Sequence, residues 1–286
     1  MNKWWLSLRP YSFTASLIPL LLGTVLAGNV GSLDPLGIIL TYSAGLTYHI
    51  IANVFNSYYD WENECDQPGD DQVVPVLIDP TLGAKALYRA GMLFLGIGVL
   101  LTLILGRLYG LTIFIIAVSG LATAYFYTAP PIAYKYRGWS LPAVFISMGV
   151  LLTASVYIVQ TASWDWRVTW LSLPISFLVA AILHGNEMRD YHGDLSYGSN
   201  SLVIATGIPI GVVIYRSLVL IPYILVLCSV VLGILSPLSL IVFLSIRGSL
   251  ALIALVNQKR FGPIVVSTAK LHAQFGLLYV ISLLIT

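Results

Sequence analysis

Nine of the twelve acidic residues in this 286-residue chain fall in two short windows. The first reads Asn53-Val-Phe-Asn56-Ser-Tyr-Tyr-Asp60-Trp-Glu62-Asn-Glu64-Cys-Asp66-Gln-Pro-Gly-Asp70-Asp71, and the second His184-Gly-Asn186-Glu187-Met-Arg189-Asp190-Tyr-His192-Gly-Asp194. Asn53, Asn56, Asp60 and Glu64 are three, four and four apart, so a continuing helix puts them on one face; Asn186, Asp190 and Asp194 repeat every four residues. Carboxylates this crowded repel one another unless positive charge lies among them. Oxygen donors without clustered cysteine or histidine suit a hard cation, and Mg²⁺ typically takes one or two carboxylates plus substrate phosphates. Two such faces meeting over a pocket would hold a diphosphate between metal ions. Between the windows lies Tyr125-Phe-Tyr127-Thr-Ala-Pro130-Pro131-Ile-Ala-Tyr134-Lys135-Tyr136-Arg137-Gly138. Lys135 and Arg137 suit diphosphate oxygens and Tyr127 and Tyr134 offer π faces to an allylic cation, although two basic residues here serve equally as topology anchors. Arg189 either pairs with Asp60 or Glu187 or reaches the diphosphate.

The elements that must carry these residues are membrane helices. The chain is 58% hydrophobic and 9% charged, against roughly 45–50% and about 25% for soluble domains. Net charge is +2, with no basic patch for nucleic acid, and two cysteines make no disulfide framework. Nine nearly uncharged stretches can cross a bilayer, near 12–28, 36–57, 88–106, 109–128, 141–161, 168–186, 215–234, 237–256 and 269–286. Eleven Lys and Arg residues then fall at one face against Arg107 and Arg167 at the other, with Arg247 inside a span. The positive-inside rule makes the eleven-residue face cytoplasmic and the N-terminus internal, with the acidic windows on that same side. Acidic and basic loops alternate there with a period of four spans, which hints at a pseudo-repeat with Asp60 and Asp190 equivalent.

Plainer readings compete. Either window alone can be a solvated acidic loop; calcium is disfavoured because no loop has odd-position ligands closed by a bidentate Glu. His49 reads better as a hydrogen-bonded polar group between helices than as a ligand. Gly91, Gly96 and Gly98 read as close-packing residues, Arg247 as snorkelling or internally paired, and His272 and Gln274 as pocket-lining by position alone.

The chain resembles the UbiA superfamily of intramembrane prenyltransferases. Five segments carry the likeness: the opening from Arg9-Pro10 to Gly23, the first acidic window from Asn53 to Asp66, the Tyr-Thr-Ala-Pro-Pro…Tyr-Arg-Gly turn, Asn186 to Asp194, and Gly198…Ser201-Leu202…Gly207. The resemblance implies one transmembrane prenyltransferase domain over residues 1–286, an all-α integral membrane fold with nine transmembrane helices around a central cavity. It also implies Mg²⁺-dependent transfer of a polyprenyl group from its diphosphate to a small aromatic acceptor. Asn56, Asp60, Asp66, Asp190 and Asp194 would hold the metal; Arg9, Asn53, Asn56, Tyr127, Tyr134 and Asn186 would bind substrate; Lys135, Arg137 and Arg189 would assist the leaving diphosphate. The opening segment, the Asp60-to-Asp66 step and the second-window pattern look most like the members that prenylate 1,4-dihydroxy-2-naphthoate in menaquinone synthesis, which points to a prokaryotic cytoplasmic membrane. Rival readings are a terpene cyclase of the same superfamily, which needs no acceptor, and a secondary transporter, against which the acidic groups lie at one mouth rather than at the bilayer midplane.

Overall fold

A computed structural model describes residues 2–70 and 72–285; Asp71, in the first acidic window, lies outside the described residues. Among the described residues every regular element is helical. In order they are α1 (Lys3–Ser7), α2 (Thr14–Gly28), α3 (Pro35–Glu62), α4 (Gly83–Tyr109), α5 (Leu111–Phe126), α6 (Ser140–Thr161), α7 (Trp166–Arg189), α8 (Tyr191–Tyr197), α9 (Leu202–Thr206), α10 (Ile208–Val231), α11 (Pro237–Asn257) and α12 (Ile264–Leu284). Seven of these, together with α2 extended by the 3₁₀ turn before it (Pro10–Gly28), are long and apolar enough to cross a membrane, and α5, at 16 residues, is a shorter apolar ninth. An α-helix of that length rises about 24 Å, a little under the roughly 30 Å hydrocarbon core.

Local chemistry sets the boundaries. Asp34 caps α3 by accepting from Leu36 and Gly37 N–H at 3.0 Å each, with Pro35 at the first helical position where no N–H is needed. Asp165 caps α7 by accepting from Arg167 N–H at 2.7 Å. Two crossings change helix type. The Phe145–Leu151 turn of α6 is π-helical, and Pro237–Ser245 of α11 is a 3₁₀ helix before the α-helix from Ile246. The helix expected at 215–234 begins earlier, at Ile208, and the one expected at 36–57 continues to Glu62.

Contacts sort the chain into two opposite ends, which requires α5 to count as a crossing. At one end Tyr109 O–H donates to Asp34 at 2.5 Å, Asp34 N–H donates to Gln160 at 2.6 Å, and Arg167 reaches the Ile234 carbonyl at 3.2 Å. At the other lie Asp60, Lys135 and both acidic turns. The first crossing also meets the last: Thr14 O–H donates to the Ala269 carbonyl at 3.5 Å and Asn29 to the Leu283 carbonyl at 3.1 Å. Close approach at Gly98 confirms its packing role, since a Cβ there would meet Leu121 at 2.9 Å; Gly91 likewise abuts Phe55 at 3.0 Å. Gly96 faces open space, so the packing expected of it is absent.

Enclosed by α2, α3, α5, α6 and α7, with Leu105 of α4 and Val265 of α12, is a cavity of about 180 Å³. Its far wall is apolar (Ala44, Leu105, Ile113, Ala117, Val159), and its near mouth carries Arg9, Asn53, Asn56 and Asn186.

Candidate active site

The site begins where α3 stops. Asp60, 3% exposed, has both carboxylate oxygens occupied: Oδ1 accepts from Lys135 Nζ at 2.7 Å and Tyr136 O–H at 2.8 Å, and Oδ2 from Lys135 Nζ at 2.7 Å and Asn56 Nδ2 at 2.6 Å. The helix ends at Glu62, and Glu64 turns into the left-handed region at φ 59°. The expected Asn53/Asn56/Asp60/Glu64 face therefore loses its last member, and Glu64 is exposed. The turn folds back instead: Cys65 and Asp66 N–H both donate to the Asp60 carbonyl, at 2.8 and 3.1 Å, bringing Asp66 into the site. Gln72 donates to Asp66 Oδ1 at 3.1 Å, and Arg9 donates to the Gln72 carbonyl at 3.3 Å. Burial, then the charge of Asp60, pushes the Asp66 carboxyl up to about 6, against the pull of Arg9 and Lys135.

The end of α7 repeats this construction. Asn186 Nδ2 donates to Asp190 Oδ2 at 2.9 Å, as Asn56 does to Asp60, and Asp194 N–H returns to the Asp190 carbonyl at 3.0 Å, as Asp66 does to that of Asp60. A cation again holds the helix-end carboxylate, since Arg189 reaches Asp190 at 2.7 and 2.9 Å and Asn186 Oδ1 at 2.7 Å. Neither Asp60 nor Glu187 is its partner, which corrects one expectation: Asp190 is next in sequence and takes both nitrogens. Asp194 is 1% exposed and 4.0 Å from Lys135. Burial lifts its carboxyl to about 7; Lys135 opposes the shift, and Asp60 and Asp190 add to it. The two turns touch through backbone, and a Cβ on Gly193 would lie 2.5 Å from the Cys65 carbonyl.

Lys135 comes from the turn between α5 and α6, a 3₁₀ segment over Tyr134–Arg137 flanked by left-handed Ala133 and Gly138. Its N–H donates to the Tyr127 carbonyl at 2.9 Å, and its side chain is 1% exposed. Burial works to lower its pKa, but Asp60 and Asp194 outweigh burial and hold the ammonium well above the ordinary lysine value. Tyr127 and Tyr134, rings 5.5 Å apart, line the cavity, and Tyr134 O–H donates to the Thr123 carbonyl at 2.8 Å. Arg137 is not brought to the site. It is exposed and donates to the Pro131 carbonyl at 2.9 Å, because two residues along a 3₁₀ turn cannot face the same way.

Arg9 adopts a left-handed backbone (φ 55°, ψ 56°) at the cavity mouth and is 8% exposed. Its carbonyl accepts from Ser12 O–H at 2.7 Å, and Ser12 also accepts from Asn53 Nδ2 at 3.1 Å. With its proton committed, Ser12 accepts from His49 Nε2 at 3.0 Å, which assigns that tautomer and leaves Nδ1 to accept from Ser16 at 2.8 Å. His49 is thus a satisfied interhelical group. His272 is fully buried away from the cavity, and its ring nitrogens make no hydrogen bond within the protein. Gln274 lies in a shallow groove with Leu244 and Ser245. Arg247 is exposed on α11.

Sequence reasoning missed Tyr136, Gln72 and the buried cluster around Glu187, to which Ser140 O–H donates and whose second oxygen is 3.5 Å from His184 Nδ1. For Glu187 the only sequence signal was its place inside an acidic window. Asn56 Oδ1, Asp66 Oδ2 and Asp194 Oδ2 are buried acceptors without a protein donor. Among the described residues no three carboxylate, imidazole or thiol groups already surround one point. Unsatisfied hard oxygens in a net-acidic pocket, too few to saturate a cation, fit Mg²⁺ completed by phosphate oxygens.

The family model for UbiA prenyltransferases matches residues 16–270, and the chain belongs to that family of intramembrane prenyltransferases. It is 29% identical to the 1,4-dihydroxy-2-naphthoate octaprenyltransferase of Bacillus subtilis, across 99% of this chain and 92% of that one. It is 30% identical to UbiA prenyltransferase domain-containing protein 1 of Mus musculus, across 98% and 83%. Among solved structures, a UbiA homolog from Archaeoglobus fulgidus bound to GPP and Mg²⁺ superposes with TM-score 0.66 at 16% identity over the whole of both chains. The apo UbiA homolog from Aeropyrum pernix K1 gives 0.71 at 15% over 94% and 97%.

Proposed function

We propose that this chain, as one domain over residues 1–286, transfers a polyprenyl group from its diphosphate to 1,4-dihydroxy-2-naphthoate in menaquinone synthesis, at the cytoplasmic face of a prokaryotic membrane. The observation that carries the reading is the meeting of two acidic turns and Lys135 at the polar mouth of an apolar cavity. The likeness to the Bacillus subtilis octaprenyltransferase supports the acceptor.

Asn56, Asp60, Asp66, Asp190 and Asp194 would hold Mg²⁺, which when bound stabilises charge gathering on the departing diphosphate. Arg9 at that mouth, with Lys135 on Asp60 and Arg189 on Asp190, supplies further positive charge, and Asn53 and Asn186 flank the same opening. Tyr127 and Tyr134, both lining the cavity, would offer aromatic rings to the carbon left electron-poor as its C–O bond breaks. The apolar wall keeps water from that carbon, so the electron-rich ring is the available nucleophile. Arg137 has no part in this arrangement.

The test is a membrane assay crossing several allylic diphosphates with several aromatic acids, with and without Mg²⁺, read by the mass of the lipid product. Prenylated naphthoquinol product from the naphthoate alone is expected, with Asp60→Ala and Asp190→Ala each folded in detergent but inactive. Cyclic hydrocarbon formed without acceptor, or full activity in either variant, overturns the reading.

A further inference from the structure

The two pairs of carboxylates are not equally free. Asp60 is saturated, with two contacts from Lys135 and one each from Tyr136 and Asn56 spread over its two oxygens. Asp190 is occupied in the same way by Arg189 and Asn186. The turn residues Asp66 and Asp194 each keep one buried oxygen without a donor, as does the Asn56 amide. The two turns thus offer a divalent cation three open oxygens beside two carboxylates already neutralised from within the chain.

We propose that Lys135 is a resident counter-ion that competes with a divalent cation for Asp60. The cation is captured first by Asp66, Asp194 and the Asn56 carbonyl, and it gains Asp60 only as the ammonium gives the carboxylate up. Three features favour exchange over permanent pairing. Lys135 Nζ already spans both acidic turns, 2.7 Å from Asp60 and 4.0 Å from Asp194, so it sits where a bridging cation would. In that same position the ammonium lies 5.3 Å from the centre of the Tyr136 ring, whose π face still holds part of its charge as the carboxylate is given up. Its main chain belongs to a short 3₁₀ turn between two left-handed residues rather than to a membrane helix, so the side chain can withdraw without moving a crossing. The released ammonium is then available to the diphosphate that the cation brings. This inference rests on the metal site proposed above and adds an order of events to it.

The experiment measures Mn²⁺ binding to the purified full chain in detergent by electron paramagnetic resonance, for wild type, Lys135→Met and Lys135→Met/Asp60→Asn. With the competitor removed, Lys135→Met is expected to bind Mn²⁺ about ten- to a hundredfold more tightly, the scale of losing charge-assisted hydrogen bonds to one carboxylate. The double variant is expected to lose that gain. Equal or weaker binding by Lys135→Met overturns the competition while leaving the metal site intact. No Mn²⁺ bound by any of the three removes the site and the competition together. Should Lys135→Met not fold, wild type decides the matter through acylation of the Lys135 amine by a succinimidyl ester, followed by peptide mass spectrometry. Acylation should be slow alone and severalfold faster with Mn²⁺; a rate that Mn²⁺ leaves unchanged or lowers overturns the proposal.

Discussion

In the proposed site Asp66 and Asp194 would serve function at the expense of stability. Both carboxyls titrate near 3.8 in an unfolded chain but at about 6 and about 7 in the fold, chiefly through burial. A raised carboxyl stabilises the fold fully below its unfolded value and withdraws that support as pH climbs through its folded value. Without divalent cation the thermal midpoint is therefore expected to fall between about pH 5 and about pH 7.5, and Asp66→Asn or Asp194→Asn to flatten the decline. Adding Mg²⁺ near neutral pH should restore wild type and leave the double Asn variant unmoved; a midpoint that rises across this range contradicts the assignment. Residue types alone made most of these groups legible, because carboxylates are scarce in a membrane chain. Orientation was not legible. Lys135 and Arg137 look alike in sequence, yet a 3₁₀ turn buries one and exposes the other.

Among the elements, the ends of α3 and α7 matter more than their lengths. Helical spacing correctly paired Asn56 with Asp60 and Asn186 with Asp190, since i,i+4 neighbours meet on one face. It misassigned Glu64, because periodicity carries no information past the residue where the helix stops. Asp66 enters instead through hydrogen bonds back to the Asp60 carbonyl, a feature with no periodic trace. Glu64 holds φ 59° without a helical or site role, so Glu64→Gly should keep activity and gain about 1 kcal/mol of stability by relieving left-handed strain. Loss of turnover in that variant returns Glu64 to the site. Gly193 permits the contact between turns, and Gly193→Val should abolish turnover by forcing the Cys65 carbonyl away while α7 and the rest of the bundle stay folded. Retained activity there means the turns need not touch.

For the whole molecule, composition foretold the membrane, and nearly every crossing was placed to within a few residues, because hydropathy is set by each segment alone. Which crossings touch was not legible, since that depends on pairings between distant segments such as α3 with the turn before α6. The orientation proposed from the charge bias puts the acidic turns inside the cell. In a chain lacking Cys65 and Cys228, Ser163→Cys should react with an impermeant maleimide in intact cells, and Ser196→Cys only after permeabilisation. The opposite pattern would invert the orientation.

The hydrogen bond from Thr14 to Ala269 joins positions 255 residues apart. At synthesis rates of about 5–20 residues per second, α2 waits roughly 13–50 s for its partner. Throughout that interval Thr14 and Asn29 lack their α12 partners, which leaves α2 reliant on the insertion machinery or an intramembrane chaperone. The cavity wall includes both α2 and Val265 of α12, so the chamber closes only when the last crossing arrives. A nascent chain still without α12 therefore lacks one wall of the chamber that, in the proposed reaction, shelters the prenyl diphosphate.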